Sequence, residues 1–286
     1  MIIGVIGGSG LYSIDSDGEN LQINTPYGPP SSFIFRKQVG ENQLVFLARH
    51  GEGHRLLPSE VNYRANVFAM KKVGAQILVS VSAVGSLSEE ISPGDFVLPA
   101  QYLDRTSGTR PSTFFGRGIV AHAHFADPSC LSLRNHLSLI CKELGIRAHV
   151  GGSYVCMEGP QFSTRTESHW YRSFRLPENP ISVIGMTALP EAKLAREAGL
   201  CYQTVAMATD YDCWNARTED VSVDSILRVL EKNVDRSQKL LRLLVEKLGP
   251  KCEVRCANSM KTAIVTPSDF WPKDRCEEMK VLLAGS

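Results

Sequence analysis

Residues Cys201–Met207, read Cys-Tyr-Gln-Thr-Val-Ala-Met, continue through Ala208 and Thr209 into two carboxylates one residue apart, Asp210 and Asp212. A mostly apolar run without period-two alternation is a strand buried on both faces, and such strands belong to the parallel sheets of α/β folds. That narrows the architecture, because helices must cover both faces of the sheet. It also puts the two aspartates at the carboxyl edge of a sheet, where α/β folds hold their ligands. The plain reading of Asp210 and Asp212 is a strand-end turn or a helix cap. The chemical reading is a pair in which one carboxylate accepts and the other donates a proton, provided their surroundings separate their pKa values.

The rest of the chain alternates strand with helix. Ile2–Ile6 reads as a buried strand, and Gly7-Gly8-Ser9-Gly10 as a tight loop. Ser31–Lys37 and Leu44–Ala48 read as two more strands. Val61–Val73 has helical spacing through Val61, Ala65, Phe68, Ala69 and Val73, and Gly74 follows it. Ile77–Ala83 is a strand running to Gly85, and Phe96–Pro99 is a short one. Residues 104–127 read as a long irregular segment, which inside a domain is functional or mobile. Leu131–Leu144 is a helix stopped by Gly145. Ser153–Met157 and Ile181–Met186 are strands, and Pro190–Ala198 is a helix with Pro at its first position. The last long helix covers about Val223–Leu248, capped by Ser222, with one apolar face. The pattern predicts one α/β domain over residues 1–267, its central mixed, partly barrel-like sheet flanked by helices. Residues 268–286 read as a C-terminal extension of open role, with a short apolar patch at Met279–Leu283.

Lys plus Arg number 31 against 30 Asp plus Glu, and no basic stripe stands out, so nucleic acid is not the expected partner. No apolar run nears 18 residues and the start has no basic n-region, so no membrane span or signal peptide is expected, and a cytoplasmic location is. Of the eight cysteines none forms Cys-x-x-Cys. Free thiols are the default, a zinc site is not expected, and a Cys252–Cys256 or Cys201–Cys256 disulfide stays open. His122-x-His124 would share one strand face, but no carboxylate or third His sits beside it, so no metal is expected there either.

Three strand ends carry anion chemistry. Gly7–Gly10 lets the backbone approach an anion and adds the Ser9 hydroxyl; its spacing is neither Gly-x-Gly-x-x-Gly nor a P-loop. Arg49-His50 follows a strand and offers a bidentate guanidinium fork and an imidazole donor. Ser82 and the Ala83 N–H stand before Gly85. Each alone reads as turn or packing. Together they suit a free phosphate dianion held by neutral donors and one Arg. At the opening strand end, a 6-aminopurine fits the two aspartates: its N7 needs a proton when the base leaves, and its 6-amino group offers donors. Phe162 reads as a base-stacking ring or as core.

Taken together these blocks closely resemble the methylthioadenosine phosphorylase branch of the trimeric purine nucleoside phosphorylases. The likeness runs through Gly-Gly-Ser-Gly-Leu at 7–11, Leu-Ala-Arg-His-Gly at 47–51 and Pro58–Asn66. It continues through Ala83–Leu87 with Pro93-Gly94-Asp95, Glu158-Gly159-Pro160, Met186-Thr187 with Pro190-Glu191, and Ala206–Trp214. It covers about residues 2–267.

The resemblance implies phosphorolysis: phosphate attacks C1′ of a purine nucleoside, with no cofactor. By matching position, Ser9, Arg49, His50, Ser82, Ala83 and Thr187 would hold phosphate. Met186 would pack on the ribose and Phe162 stack on the base. Asp210 would donate to N7 as general acid, directly or through water, and Asp212 would face the 6-amino group. Relatives preferring 6-oxopurines carry Asn at the first position, so Asp-x-Asp points to adenine. Val223 and Ile226 would line an apolar 5′-methylthio pocket, with His122 reaching in from a neighbouring subunit of a homotrimer, or of a hexamer built from two. Ser9 and Ser82 stand where Thr is frequent, and Gln161 stands where the pattern has Arg. The competing expectations are a broader phosphorylase taking adenosine, inosine or methylthioinosine, a dinucleotide oxidoreductase resting on Gly7–Gly10, and a non-catalytic nucleoside-binding module. The second lacks a third Gly and an acidic ribose ligand; the third should have lost Asp210 or Arg49.

Overall fold

The computed structural model describes residues 1–8, 18–215, 223–247 and 256–284; the side chains of residues 223–228, 230 and 232 lie outside that description. The strands are β1 (Ile2–Gly7), β2 (Glu19–Leu21), β3 (Ile34–Val39), β4 (Asn42–Ala48), β5 (Ile77–Ser86), β6 (Phe96–Leu98), β7 (Gln101–Arg105), β8 (Ala148–Val150), β9 (Ser153–Met157), β10 (Ile181–Gly185) and β11 (Cys201–Asp210). The helices are α1 (Tyr63–Lys72), α2 (Leu131–Glu143), α3 (Arg165–Ser173), α4 (Ala188–Glu197), α5 (Val223–Lys247) and α6 (Cys276–Leu282).

All eleven strands join one mixed sheet, and its heart is the parallel run β4-β1-β5-β11. Alternation along these strands feeds two cores, as a pleat requires. Ile6, Val45 and Leu47 pack with Val67, Phe68 and Met70 of α1 and Ala192 and Leu194 of α4. Ile3, Val5 and Phe46 pack with Leu133, Leu137 and Ile140 of α2 and Leu240, Leu241 and Leu244 of α5. Each buried aliphatic side chain contributes roughly 1.5–3 kcal/mol, so both faces are held as the apolar run of β11 requires. The sheet branches at β5. Residues 77–81 pair with β1 on one side and β11 on the other, while Gly85 and Ser86 turn to β10 in antiparallel register. That exchange of partners brings the ends of β1, β4, β5, β10 and β11 to one place.

Several boundaries move for physical reasons. The strand expected from Ser31 begins at Ile34, because the Ser31 N–H donates to Asn66 Oδ1 at 2.8 Å and its hydroxyl accepts from Asn66 Nδ2. β5 runs through Gly85 to Ser86. β7 enters the segment expected to be irregular, and β8 and α3 were not expected at all. α3 starts at a capping box: Thr164 Oγ1 accepts from the Glu167 N–H while the Glu167 carboxylate accepts from the Thr164 N–H.

The C-terminal stretch packs on its own chain. Met279 and Leu282 of α6 join the core beside α1. Buried Arg275 donates to Glu278 at 2.8 Å and to the carbonyls of Phe114 and Gly116. Of the disulfides left open by the sequence, Cys201 and Cys256 are not joined. Cys252 lies outside the described residues. Among those residues no helix is long and apolar enough to cross a membrane.

Candidate active site

The converging strand ends enclose a cavity of about 340 Å³, within the range of small-molecule sites. Gly8 after β1, Arg49 and His50 after β4, Ser82 to Gly85 of β5, Met186 and Thr187 after β10, and Asp210 and Asp212 at the close of β11 line it. Gly85 lies against the two aspartates, and Phe162, 43% exposed, stands in the wall. Nine of the residues singled out from the sequence therefore meet in one cavity: Arg49, His50, Ser82, Ala83, Phe162, Met186, Thr187, Asp210 and Asp212. Ser9 lies outside the described residues, as do the side chains of Val223 and Ile226. His122 is exposed and does not line this cavity; its N–H donates to the Ala263 carbonyl.

Arg49 is wholly buried and differs from the free fork expected. Its Nε donates to Glu191 at 2.9 Å, Nη2 to Ser80 Oγ and the Ile6 carbonyl, and Nη1 to the Val81 carbonyl. Burial alone would lower its pKa, but the Glu191 charge outweighs that and holds the guanidinium firmly protonated. Nη1, with a second proton, lies at the cavity wall beside Gly8. Arg49 thus fixes a locked positive charge behind the cavity wall. Ser82 Oγ lies buried at the same wall, beside the buried Tyr154 hydroxyl.

His50 donates through Nδ1–H to the Leu56 carbonyl at 2.8 Å and stacks on His54 with ring centroids 4.3 Å apart. Burial, then the Arg49 charge, lowers its pKa to about 4. The ring is therefore neutral near pH 7 with its Nε2 lone pair open, and becomes a second donor only by taking up a proton. This carries a stability signature. Between pH 6.5 and about 4 the unfolded chain binds a proton here that the folded chain refuses. Stability is then lost as pH falls through that window, by roughly 3 kcal/mol at full effect. In Tm measured from pH 7 to 4.5, His50→Asn should flatten the decline; a decline unchanged in the variant would show that His50 is not buried neutral.

Asp210 Oδ1 accepts from the Asp212 N–H at 2.8 Å. The Thr209 hydroxyl lies 2.7 Å from Asp210 Oδ2 and 3.2 Å from the Val84 carbonyl. The hydroxyl has one proton, and the shorter contact is the one it donates to Asp210. Burial, the largest cause, and the neighbouring Asp212 charge both raise the Asp210 pKa, against the two hydrogen bonds that lower it. Asp212 follows in the left-handed region, φ 49°, a conformation Asp tolerates. That turn swings its carboxylate back toward the cavity. Burial raises its pKa too, against the pull of the nearby Ser168 and Ser163 hydroxyls, and Oδ2 has no hydrogen-bond partner among the described residues.

The sequence reading missed the residues that hold this site. Glu191 anchors Arg49. Buried Arg110 donates to Glu158 Oε1 at 2.9 Å and to the Met186 and Leu189 carbonyls at 2.6 and 3.1 Å. It therefore ties the segment before β11's carboxylates to the irregular stretch. Gly159 lets Met186 close on the wall: a Cβ there would lie 2.4 Å from Met186 Sδ, and its φ is +68°. A capping box would have revealed α3; no local signal reveals the Arg110 clamp.

A cavity lined by Arg49, Ser82 and Thr187 together with two raised-pKa carboxylates frames the chain's class: over residues 2–246 it matches the sequence model of the phosphorylase superfamily. The chain belongs to the S-methyl-5′-thioadenosine phosphorylase family within it. It is 48% identical over 286 residues to the S-methyl-5′-thioadenosine phosphorylase of Geobacter sulfurreducens, covering 99% of this chain and 98% of that protein. It is 46% identical over 268 residues to that of Saccharolobus solfataricus, covering 92% and 97%. The crystal structure of a methylthioadenosine phosphorylase from an antarctic soil metagenomic library superposes with TM-score 0.87 at 43% identity, covering 99% of this chain and 97% of that one. The methylthioadenosine phosphorylase of Schistosoma mansoni in complex with adenine superposes with TM-score 0.83 at 35% identity, covering 90% and 94%.

Proposed function

We propose that the protein catalyses phosphorolysis of S-methyl-5′-thioadenosine to adenine and 5-methylthioribose 1-phosphate, a step of purine and methionine salvage. One observation carries this reading. The Asp210–Asp212 pair lines the same cavity as the locked Arg49 charge and the Ser82 hydroxyl. Phosphate is a co-substrate, and no cofactor takes part. Ser82 Oγ and the Ala83 N–H, with Ser9, Thr187, and His50 once phosphate brings it a proton, hold the phosphate over the Arg49 charge for attack on C1′. As the C1′–N9 bond breaks, negative charge gathers on the base. Asp210, whose pKa is raised by burial and then by the Asp212 charge, delivers its proton to N7. Asp212 accepts from the 6-amino group. Met186 packs on the ribose and Phe162 on the base, while Val223 and Ile226 supply apolar surface for the methylthio group. We assign the enzyme to the cytoplasm as a homotrimer, in which the exposed His122 completes a neighbour's 5′ pocket.

The test is the ranking of methylthioadenosine, adenosine, inosine and methylthioinosine by kcat/KM. Methylthioadenosine should lead. Asp212→Asn should erode the preference for 6-amino over 6-oxo bases by roughly tenfold, the effect of about 1.4 kcal/mol. Faster turnover of inosine by the wild type would leave the phosphate donors intact and overturn the assignment of the aspartates. An unaltered preference in the variant would make Asp212 structural.

A further inference from the structure

Far from the cavity, the fold gathers three cysteines whose spacing in the chain gives no metal pattern. Cys130, Cys201 and Cys256 are all buried, and their sulfurs lie within 4.8 Å of one another. Each is placed by backbone. The Cys130 N–H donates to the Tyr202 carbonyl at 2.8 Å, fixing the start of α2 against the start of β11. Gly199, φ +66°, has the Ala257 carbonyl 3.1 Å from where a Cβ would stand, so its missing side chain lets the segment of Cys256 close on Cys201. Ser259 then ties that segment down, its hydroxyl donating to the Arg196 carbonyl at 2.7 Å.

We propose that these three thiols form a trigonal site for a soft monovalent metal ion of the copper(I) type. Thiolates select such ions. A trigonal ion with metal–sulfur bonds of about 2.3 Å needs sulfurs roughly 4 Å apart, a shift of a few tenths of an ångström per side chain. Three sulfurs complete that geometry, whereas zinc calls for a fourth ligand. Binding replaces three S–H bonds with three metal–sulfur bonds and sends three protons to solvent, leaving a site with two net negative charges. The neighbouring Cys130 thiol and burial push the Cys256 thiol up to about 11, and the helix and cationic groups nearby oppose that. Cys130 is the N-cap of the thirteen-residue α2, and the positive end of a helix favours a thiolate. Arg134 and Arg196 act electrostatically on Cys130 and Cys256, and the buried Arg134 Nε has no hydrogen-bond partner among the described residues. The bound ion would staple α2, β11 and the segment after α5 together.

The experiment is anaerobic titration of the full-length protein with copper(I) against a chromogenic copper(I) chelator, following thiolate-to-copper charge transfer. The wild type should take one equivalent, with three thiols protected from alkylation, and its Tm should rise by roughly 5 °C at hundredfold excess over Kd. Cys130→Ser, Cys201→Ser and Cys256→Ser are near-isosteric, and each should lose that equivalent and the Tm rise. Unchanged Tm values without copper confirm that the variants fold. Binding that survives any one substitution, binding of zinc but not copper(I), or mass spectrometry showing a disulfide among the three in protein purified under reductant would each overturn the proposal.

Discussion

Asp210→Ala should lower kcat for methylthioadenosine phosphorolysis by about 10²–10⁴-fold, the usual contribution of a positioned general acid, while KM moves far less. The leaving adenine is poor as an anion and good once N7 is protonated, so the acid acts as the bond breaks. Asp210 suits that role because burial raises its pKa and the charge of Asp212 adds to it. Its two carboxylate oxygens are fixed by the Asp212 N–H and the Thr209 hydroxyl, so the group is aimed before substrate arrives. Asp210→Asn should fall nearly as far, since an amide can hydrogen-bond N7 but cannot hand over a proton. Neither variant should lose stability. A carboxylate whose folded pKa is raised contributes most below its unfolded pKa and opposes folding once it ionises at higher pH. Single-turnover rates with saturating phosphate check this; an unchanged rate in Asp210→Ala removes the residue from the mechanism.

The second large effect lies in the anchor that holds Arg49. Glu191→Ala should cost about 3–5 kcal/mol of stability, because it leaves the Arg49 charge buried and unpaired. Both side chains are almost fully enclosed, the salt bridge is 2.9 Å, and the Tyr202 hydroxyl donates to the same carboxylate at 3.1 Å. Activity should fall with it, chiefly as a higher KM for phosphate, because the Arg49 charge loses its fixed place. Glu191→Gln keeps the volume and one acceptor but not the charge, and should fall between. Chemical denaturation gives the stability and phosphate titration the KM. A loss under about 1 kcal/mol in Glu191→Ala would mean that water replaces the carboxylate and that Arg49 is not locked.

These contrasts show where the chain was legible as a sequence. β1, β4, β5 and β11 read correctly because strands buried on both faces need unbroken apolar runs, and their ends carry small or charged residues at fixed offsets. The site's inner face was therefore visible as a set of strand ends. β7 and β8 were not, because they are short and only partly buried, with side chains such as Gln101, Asp104 and His149 that make no apolar pattern. Arg49 read as a free fork because its partner lies 142 residues along the chain, a distance no local rule spans. Arg110 sat in a stretch that read as irregular, yet its guanidinium joins Glu158 to Met186 through contacts that exist only in the fold. The left-handed turn at Asp212 was equally hidden: Asp-Tyr-Asp permits it without requiring it. The cysteines carry the same lesson, since Cys130, Cys201 and Cys256 come from three separate elements.

The most direct test of the central claim is adenine release from methylthioadenosine with and without phosphate, with the sugar product identified. Turnover should depend strictly on phosphate and yield one 5-methylthioribose 1-phosphate per adenine. Adenine released at the same rate without phosphate, alongside free methylthioribose, would make water the nucleophile and contradict the assignment of Arg49 and Ser82.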